Sequence, residues 1–336
     1  MRFLLIALFT LFGLSGWAQK GENTYEFLNL PGSAHTGALG GTNVSLQDVD
    51  PSMALGNPAL LRDTMHNNLA VNYVNYIADI NFGYATYSRD YNALGTFALG
   101  VQYINQGNFD GYDELGNFTG NFVAQETALS LIWSYPISSK WNGGLAFKQV
   151  FSAFEQYSSY GILFDAGISY LNNNFSAGLV LKNFGTQVKT YTEDNFEPMP
   201  FEIQMGFTQK LNHAPLRFSV TANHIQMPDL TYKSGLDKYS NPLLDDQNKT
   251  PTFGAKALRH VVFGVEFVPS KNLYVAAGYN FQRRIELGIE NSMSTVGFSW
   301  GFGVKISKFR ISYASARYHL AGTSNHISIA TNLSSF

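Results

Sequence analysis

The run VGFSWGFGVK at residues 296–305 alternates a large apolar side chain with glycine or serine until it reaches Lys305. A period of two is the pattern of a β-strand with one apolar face. Similar alternation returns along most of the chain from residue 68 onward. No apolar run in that region approaches the length of a spanning helix. If the chain enters a membrane, it must therefore do so as a closed sheet, which satisfies its own backbone hydrogen bonds.

Counting the alternating runs predicts about fourteen strands, most of them near the 9 to 11 residues that a tilted membrane strand needs. We therefore predict an all-β fold, an antiparallel transmembrane outer-membrane β-barrel at residues 68–336. The apolar beat is assigned to Leu69, Val71, Tyr73; Ile80, Phe82, Tyr84; Phe97, Leu99, Val101, Tyr103; Leu129, Leu131, Trp133, Tyr135; Leu145, Phe147; Ile162, Phe164, Ala166, Ile168, Tyr170; Phe175, Ala177, Leu179, Leu181; Phe201, Ile203, Met205, Phe207; Phe218, Val220, Ala222; Val261, Phe263, Val265, Phe267; Leu273, Val275, Ala277, Tyr279, Phe281; Val296, Phe298, Trp300, Phe302, Val304; Phe309, Ile311, Tyr313; and Ile327, Ile329, Leu333.

The links between these runs alternate in length. Short links are predicted at residues 89–94, 136–140, 172–174, 212–215, 269–272 and 307–308, and long ones at 105–121, 185–200, 229–257 and 283–292. Outer-membrane barrels have short periplasmic turns and longer loops outside. The alternation favours a barrel over an exported soluble sandwich or propeller, which would also alternate along its strands.

Charged side chains occupy the alternate positions of the strands, on the face opposite the apolar one. A lysine or arginine that faces lipid at mid-membrane costs about 2 to 4 kcal/mol, so these charges are assigned to the lumen. We expect most of them to pair with each other or with Asp48, Asp50 and Arg62, although a polar conduction path is an alternative. The lumen-facing charges are Lys148, Asp165, Lys182, Glu202, Arg217, Glu266, Lys305 and Arg310.

Composition narrows the class of protein. Charged residues make up 14% and aromatic residues 15% of the chain, and the net charge is -2. Typical soluble domains have about a quarter charged residues. The near-neutral charge gives no sign of a nucleic-acid partner. The absence of cysteine excludes disulfides and thiolate metal sites.

The N-terminus has the layout of a secretory signal peptide. Arg2 precedes an apolar core that ends at Leu14, and a small-residue site follows at residues 16–18. We predict a signal peptide at residues 1–18, cleaved between Ala18 and Gln19. A membrane-anchoring helix is the alternative, but the apolar run is shorter than the 17 or more residues that a span needs.

Residues 19–67 precede the first strand and are predicted to fold inside the barrel as a plug. Their central part, YEFLNLPGSAHTGALGGTNVSLQDVDPSMALGNPALL at residues 25–61, mixes short apolar pairs with Gly-Gly, Asp-Pro and Asn-Pro turns. Such turns prevent one long helix or strand. The inward-facing positions of the barrel strands are rich in glycine, which leaves room for this segment.

No recognisable pattern of side chains points to catalysis. The seven histidines, at positions 35, 66, 213, 224, 260, 319 and 326, show no metal-ligand spacing. No nucleophile elbow is predicted either, because the one Gly-x-Ser-x-Gly run, at residues 297–301, lies inside an alternating strand pattern and not at a turn between a strand and a helix. Outer-membrane hydrolases place Ser, His and Asp near a barrel rim, so Asp165, His319 and His326 are the residues that an enzyme would use. We predict no enzyme, no metal and no cofactor.

Short motifs in the N-terminal segment resemble the plug of the FadL-type outer-membrane barrels. They are the run Ala38-Leu39-Gly40-Gly41 and the triplet Asn57-Pro58-Ala59. FadL relatives have fourteen strands and an N-terminal hatch, which is the fold that the resemblance implies. Within this group the stretch YEFLNLP at residues 25–31, which includes Tyr25 and Phe27, together with NYV at 72–74 and HAP at 213–215, is similar to the PorQ family of the type IX secretion system.

The PorQ resemblance implies a non-enzymatic component of the attachment complex in the outer membrane of a Gram-negative bacterium. Such a protein would hold a PorZ-like surface protein through its long loops, beside PorU-like and PorV-like members. The complex delivers cargo with C-terminal signal domains to anionic lipopolysaccharide. The alternative is a FadL-like transporter of hydrophobic compounds through the outer membrane.

Overall fold

The structure is a computed structural model that describes residues 23–76, 80–193, 195–231, 252–287, 295–319 and 322–336. The predicted signal peptide and its cleavage site between Ala18 and Gln19 lie outside these residues.

The described residues form fourteen antiparallel strands in one closed barrel, in which every strand pairs with its neighbour in sequence. Closure is made by β1 and β14, which pair from Asn68 opposite Asn332 to Asn75 opposite Asn325. The predicted fold class is therefore confirmed. The strands are β1 Asn68–Asn75, β2 Asn81–Asp90, β3 Thr96–Tyr112, β4 Phe118–Pro136, β5 Trp141–Phe154, β6 Tyr157–Asn172, β7 Phe175–Lys189, β8 Glu202–Lys210, β9 Leu216–Ala222, β10 Val261–Ser270, β11 Leu273–Asn280, β12 Phe298–Ile306, β13 Phe309–His319 and β14 Gly322–Asn332.

The outer face of the barrel is a continuous apolar surface. Leu99, Leu131 and Trp300 are 61%, 48% and 46% exposed, whereas the residues beside them on the same strands point inward and are buried. An exposed apolar band of this extent is stable only against lipid. The strand alternation thus separates a lipid-facing surface from the interior.

Strand β2 has the opposite register from the one predicted. Phe82 and Tyr84 were assigned to the lipid face, but they are 2% and 4% exposed and point into the barrel. Residues directly opposite each other in an antiparallel pair face the same side. Since Val71 and Tyr73 of β1 face outward, their partners Ala85 and Gly83 must do so as well.

Two further residues at strand ends leave the predicted apolar face. Val296 is only 1% exposed, because it lies in a turn before β12, next to Gly297 with its positive φ of 87°. Phe281 is the first residue of a helix that follows β11. In both places the chain has left the sheet, so the period of two no longer applies.

The prediction of a long loop at residues 105–121 was wrong. These residues form the ends of β3 and β4, which have 17 and 19 residues and are joined by a turn at residues 113–117. The glycines and asparagines suggested a loop. Cross-strand aromatic pairs hold the strands together instead, because Phe109 stacks on Phe122 and Tyr112 contacts Phe118 edge-on. At about 3.3 Å per residue, this hairpin extends well beyond the hydrocarbon layer.

The remaining long links lie where the sequence indicated, at residues 190–201, 223–260 and 281–297. The described parts of the last two contain short helices, Phe253–Arg259 and Phe281–Leu287, which we label α2 and α3. Among the other links at this end, those at residues 76–80 and 155–156 are short. None of the helices in the described residues is long and apolar enough to cross a membrane.

Residues 23–67, which we call the inner segment, contain one short helix, α1 at Ala34–Ala38, and four 3-10 turns at Glu26–Asn29, Pro51–Leu55, Pro58–Leu60 and Asp63–Met65. Side chains cap α1 and two of the turns. Ser33 accepts from the Thr36 amide, Asp50 from the Ser52 amide and Asn57 from the Ala59 amide. The inner segment packs on the inward faces of strands on opposite sides of the barrel, so it occupies the interior.

Candidate functional site: the barrel interior and a lateral pocket

The Asn57-Pro58-Ala59 triplet lies against a glycine surface on the inner wall. A Cβ atom added to Gly144 of β5 would collide with the Pro58–Ala59 peptide, and one added to Gly167 of β6 would collide with the Asn57 side chain. Asn57 also donates to the Val44 carbonyl over 2.9 Å and accepts from the Ala59 amide over 3.0 Å. Glycine is therefore required at position 144, where backbone meets backbone, and at position 167, where the wall meets the hydrogen-bonded Asn57 side chain.

The second predicted motif, at Leu39, Gly40 and Gly41, lies against β11 and β12. Both glycines have a φ of 96°, a conformation that side chains other than glycine rarely adopt. Ser299 of β12 accepts from the Gly40 amide over 2.9 Å and donates to the Ala38 carbonyl over 2.8 Å. The two motifs thus contact opposite halves of the wall.

Tyr25 and Phe27 belong to an apolar cluster between the inner segment and strands β1 to β6. Phe27 is 5% exposed and packs in the same cluster as Leu55, Phe82 and Ile132. The Tyr25 hydroxyl lies 2.5 Å from the Ser159 hydroxyl of β6. This half of the interior is therefore largely apolar rather than uniformly polar.

Tyr191 borders this cluster from the link between β7 and β8. Its hydroxyl donates to Ser152 of β5 over 2.5 Å. Burial raises the pKa of Tyr191 to about 12, so the hydroxyl keeps its proton at any physiological pH. The link is thus tied to the wall by a hydrogen bond that does not titrate.

The opposite half contains an ion network that joins the inner segment to three strands. Both nitrogens of His35 face carboxylates: Nε2 lies 2.6 Å from Glu266 of β10 and Nδ1 lies 3.2 Å from Asp48. Arg217 of β9 binds Glu266 through two N–H···O contacts of 2.7 Å each, and Arg310 of β13 pairs with Asp48. A histidine between two carboxylates donates from both nitrogens, so this geometry favours its charged form.

Tyr274 of β11 completes the packing around this network. Its ring stacks on His35 with centroids 3.9 Å apart and planes 15° apart. A protonated imidazole over an aromatic face is a favourable cation–π arrangement. The network, which we call the His35 cluster, therefore combines ion pairs with an aromatic contact.

A second group of the predicted lumen charges lies on β5 to β8. Lys148 pairs with Asp165 over 2.6 Å and donates to Asn183 over 2.9 Å. Lys182 and Glu202 are opposite each other in the β7–β8 ladder and are both buried. Lys305, in contrast, lies near the β12–β13 turn, where its side chain is exposed. Seven of the eight predicted charges thus lie in two interior groups, and Lys305 lies in neither.

Sequence reasoning did not select His35 or Tyr274. Neither residue belongs to a recognisable sequence motif, and only the fold brings both of them beside Glu266. Asp48 was proposed as a partner for lumen charges, and it binds Arg310. Asp50 and Arg62 were expected to pair with lumen charges as well. Asp50 instead caps a 3-10 turn, and no hydrogen-bond partner is found for the Nε atom of the partly buried Arg62.

The residues considered for an enzyme do not form one site. Asp165 on β6 is engaged by Lys148, whereas His326 on β14 is buried beside Phe82 and lies 3.3 Å from Ser324. The His319 side chain lies outside the described part of the structure. Within the described residues, no group of three or more histidine, aspartate or glutamate side chains is placed to hold a metal ion.

A lateral pocket of about 610 Å³ opens at the outer wall, toward the loop ends of β1, β2 and β3. It lies at an irregularity of β3, where the pairing with β4 shifts between Asn105 and Asn108. Aromatic side chains and amides share its lining. The lining residues are Tyr73, Asn81, Phe82, Gly83, Tyr103, Asn105, Gln106, Gly107, Asn108 and Phe109.

Solved structures of similar fold include two proteins described as toluene transporters. The toluene transporter TodX of Pseudomonas putida is 14% identical, and the match covers 90% of this chain and 96% of TodX with a TM-score of 0.53. The toluene transporter TbuX of Ralstonia pickettii is 13% identical over 90% of this chain and 98% of TbuX, with a TM-score of 0.50. A FadL homologue of Pseudomonas aeruginosa is 12% identical over 89% and 98%, with a TM-score of 0.48.

This chain shares the overall fold of TodX and TbuX. No protein-family model matches the sequence, and no curated protein is similar to it in sequence. Identities of 13% and 14% show a shared architecture and nothing narrower. The resemblance to the PorQ family stays a prediction, since these findings concern the broader fold.

Proposed function

We propose that the protein is an outer-membrane transporter that admits small hydrophobic compounds through the side of its wall. The observation that carries this proposal is the lateral pocket at the β3 irregularity. Its volume falls within the range of about 300 to 1,000 Å³ that small-molecule sites have. The fold likeness to TodX and TbuX, both described as toluene transporters, supports the same function.

Two residues connect the lateral pocket with the interior. Phe82 lines the pocket and also belongs to the apolar cluster around the inner segment. Gln106 lines the pocket and donates over 3.1 Å to Glu126, which is buried inside the barrel. A single layer of side chains therefore separates the lipid-facing pocket from the interior.

The lining indicates the class of compound. Tyr73, Tyr103 and Phe109 supply apolar surface, whereas Asn105 and Asn108 can each make only a few hydrogen bonds. Such a site favours an aromatic or short alkyl body with at most one or two polar groups. A highly charged solute would lose its hydration without gaining partners.

Uptake into proteoliposomes tests this proposal. Asn108→Trp places a large ring in the pocket at an exposed position, and Asn121→Trp adds the same ring at an exposed position on the other strand of the same hairpin, outside the pocket. We expect N108W to lower the initial uptake rate of labelled toluene by about tenfold or more, while N121W leaves it unchanged. Equal rates in the two variants, or no uptake by the unmodified protein, would contradict the proposal.

A second candidate function is the scaffold of type IX secretion, which the sequence resemblance suggested. The β3–β4 hairpin favours it, because Phe109, Tyr112, Leu115 and Phe118 are exposed on an element that projects from the barrel. Such residues are typical of protein docking surfaces. The partners would be a PorZ-like surface protein, PorU-like and PorV-like members and lipopolysaccharide, in the outer membrane of a Gram-negative bacterium after export by the signal peptide.

Purification from the native membrane distinguishes the two functions. The tagged protein is extracted in a mild detergent, and its companions are identified by mass spectrometry. A large soluble partner that is lost in a Tyr112→Ser, Phe118→Ser double variant supports the scaffold. An isolated barrel that takes up toluene in proteoliposomes supports transport.

A further inference from the structure

A small cavity of about 30 Å³ lies between the inner segment and the wall, apart from the lateral pocket. The inner segment contributes Asn43 and Thr36, and the wall contributes Gln102, Lys182 and Gln204. Buried cavities that are both polar and large enough for a water molecule, about 10 to 15 Å³ or more, are normally filled. The identity of the occupant follows from the groups around it.

Lys182 is the cation at this cavity. The residue is only 5% exposed, and among the described residues no carboxylate lies within salt-bridge distance of its ammonium group. Its cross-strand neighbour Glu202 is turned to His224, from which it accepts a backbone hydrogen bond of 3.3 Å and whose Nδ1 lies 3.5 Å away. The nearby carboxylate of Asp165 is taken by Lys148.

Asn43 supplies a hydrogen-bond donor of fixed orientation. Its Oδ1 accepts from the Ser45 amide over 3.0 Å and from the Leu46 amide over 2.7 Å. The amide group therefore cannot be reversed without losing both bonds. This leaves Nδ2 as the group without a partner, and Asn43 is only 6% exposed.

Gln204 is a second buried amide with an unmet hydrogen-bonding atom. Its Oε1 has no partner, and the residue is 3% exposed. Oxygen and nitrogen of a glutamine amide can be exchanged by rotation when no hydrogen bond fixes them. The Gln204 amide can therefore present N–H to the cavity.

We propose that this cavity binds a small inorganic anion of the size of chloride. Its lining contains one ammonium group and four amide side chains but no carboxylate. An unpaired buried cation is costly, and an anion that also accepts amide hydrogen bonds removes that cost. The volume admits one anion of this size.

Anomalous diffraction from crystals grown in bromide tests the site directly. We expect a bromide peak within hydrogen-bond reach of Lys182 Nζ and Asn43 Nδ2, and we expect it to vanish in Lys182→Met. Ordered water alone at this position would overturn the proposal. A peak that persists in K182M would do so as well.

Thermal unfolding of the full-length protein gives a second test without crystals. At constant ionic strength, replacing gluconate by chloride should raise the midpoint of the unmodified protein by roughly 2 °C for each tenfold increase above the dissociation constant. Lys305→Met removes a lysine that is exposed and does not line the cavity, so it should keep this dependence. K182M should lose it. The same chloride dependence in K182M and K305M would contradict the site.

Discussion

At the scale of single residues, glycines on the inner wall decide whether the inner segment can lie there. The Cβ of a larger residue at position 278 would occupy the space of the Leu39–Gly40 peptide, and at position 144 that of the Pro58–Ala59 peptide. These glycines look like ordinary small lumen residues in the sequence. Their role is visible only when the facing backbone is in place.

Gly278→Ala tests this close approach. We expect the variant to unfold at a lower temperature, because overpacking costs about 1 to 3 kcal/mol and the nearby atoms are backbone atoms that cannot rotate away. Gly254→Ala is the control, since its added Cβ meets open space. The two variants should be compared by heat-dependent migration in gels. Equal unfolding temperatures would show that the inner segment does not lie on Gly278.

Glu266 is the acceptor that holds the His35 cluster together. It is 1% exposed and binds both His35 and Arg217. Replacing it by glutamine keeps the shape but leaves two buried cationic groups without their shared carboxylate. Breaking a buried ion pair in this way costs about 3 to 5 kcal/mol.

We therefore predict that Glu266→Gln loosens the inner segment. Limited proteolysis of the protein in detergent should cut within residues 23–67 faster in the variant than in the unmodified protein. The control is Glu114→Gln, which removes a charge from an exposed turn. A cleavage rate in E266Q no higher than that of E114Q would mean that other contacts hold the segment.

At the scale of elements, the β3–β4 hairpin shows how cross-strand pairs override composition. Residues 105–121 are rich in Gly, Asn and Asp, yet they form strands because Phe109 stacks on Phe122 and Tyr112 packs on Phe118. The turn is closed by Asp113, whose Oδ1 accepts from the amides of Leu115 and Asn117. Polar composition therefore concealed a regular element.

Phe109→Ser should fray this hairpin without opening the barrel. Aromatic cross-strand pairs contribute about 0.2 to 1 kcal/mol each, which is a large share of the stability of an isolated hairpin. We expect amide hydrogen exchange to accelerate at residues 106–124. The amides of residues 96–104 in the same strand serve as an internal control and should keep their rates. Faster exchange in both ranges would show that the hairpin supports the barrel.

The register of β2 belongs to the same scale. The sequence of β2 has aromatic residues at positions 82, 84 and 87, which are of mixed parity, so its own alternation does not choose a face. Pairing with β1 decides the matter, because Leu69 and Val71 bring Tyr87 and Ala85 to the lipid side. A register is a property of two strands and is ambiguous when one is read alone.

At the scale of the whole molecule, the inner segment fills a barrel that would otherwise enclose a wide lumen. Its position lets us predict that it closes the barrel to ions. Deleting residues 19–67 should raise the conductance in planar bilayers by at least about tenfold over the intact protein, since a barrel of this strand number is wider than its own side chains can fill.

Two checks accompany this deletion. Circular dichroism and heat-dependent migration must first show that the shortened barrel is folded. Gly254→Ala in the full-length protein serves as the control for the mutant preparations and should conduct as the intact protein does. A folded deletion variant with unchanged low conductance would assign closure to the loops or to the wall.

The sequence by itself determined the barrel. Fourteen strands, their alternation and most lipid-facing residues follow from a local period of two, and membrane lipid permits only one way to satisfy the backbone of such strands. The inward orientation of the charged side chains can also be predicted from the sequence, because a charge that faces lipid is costly. Each of these properties can be read from a residue and its near neighbours.

Only the tertiary structure decided which groups meet across the lumen. His35 and Glu266 are 231 positions apart, and the Asn43, Lys182 and Gln204 side chains come from three separate elements. The lateral pocket likewise depends on a shift in pairing between β3 and β4. These contacts depend on strand register and on the path of an irregular segment, and neither is encoded by a local period.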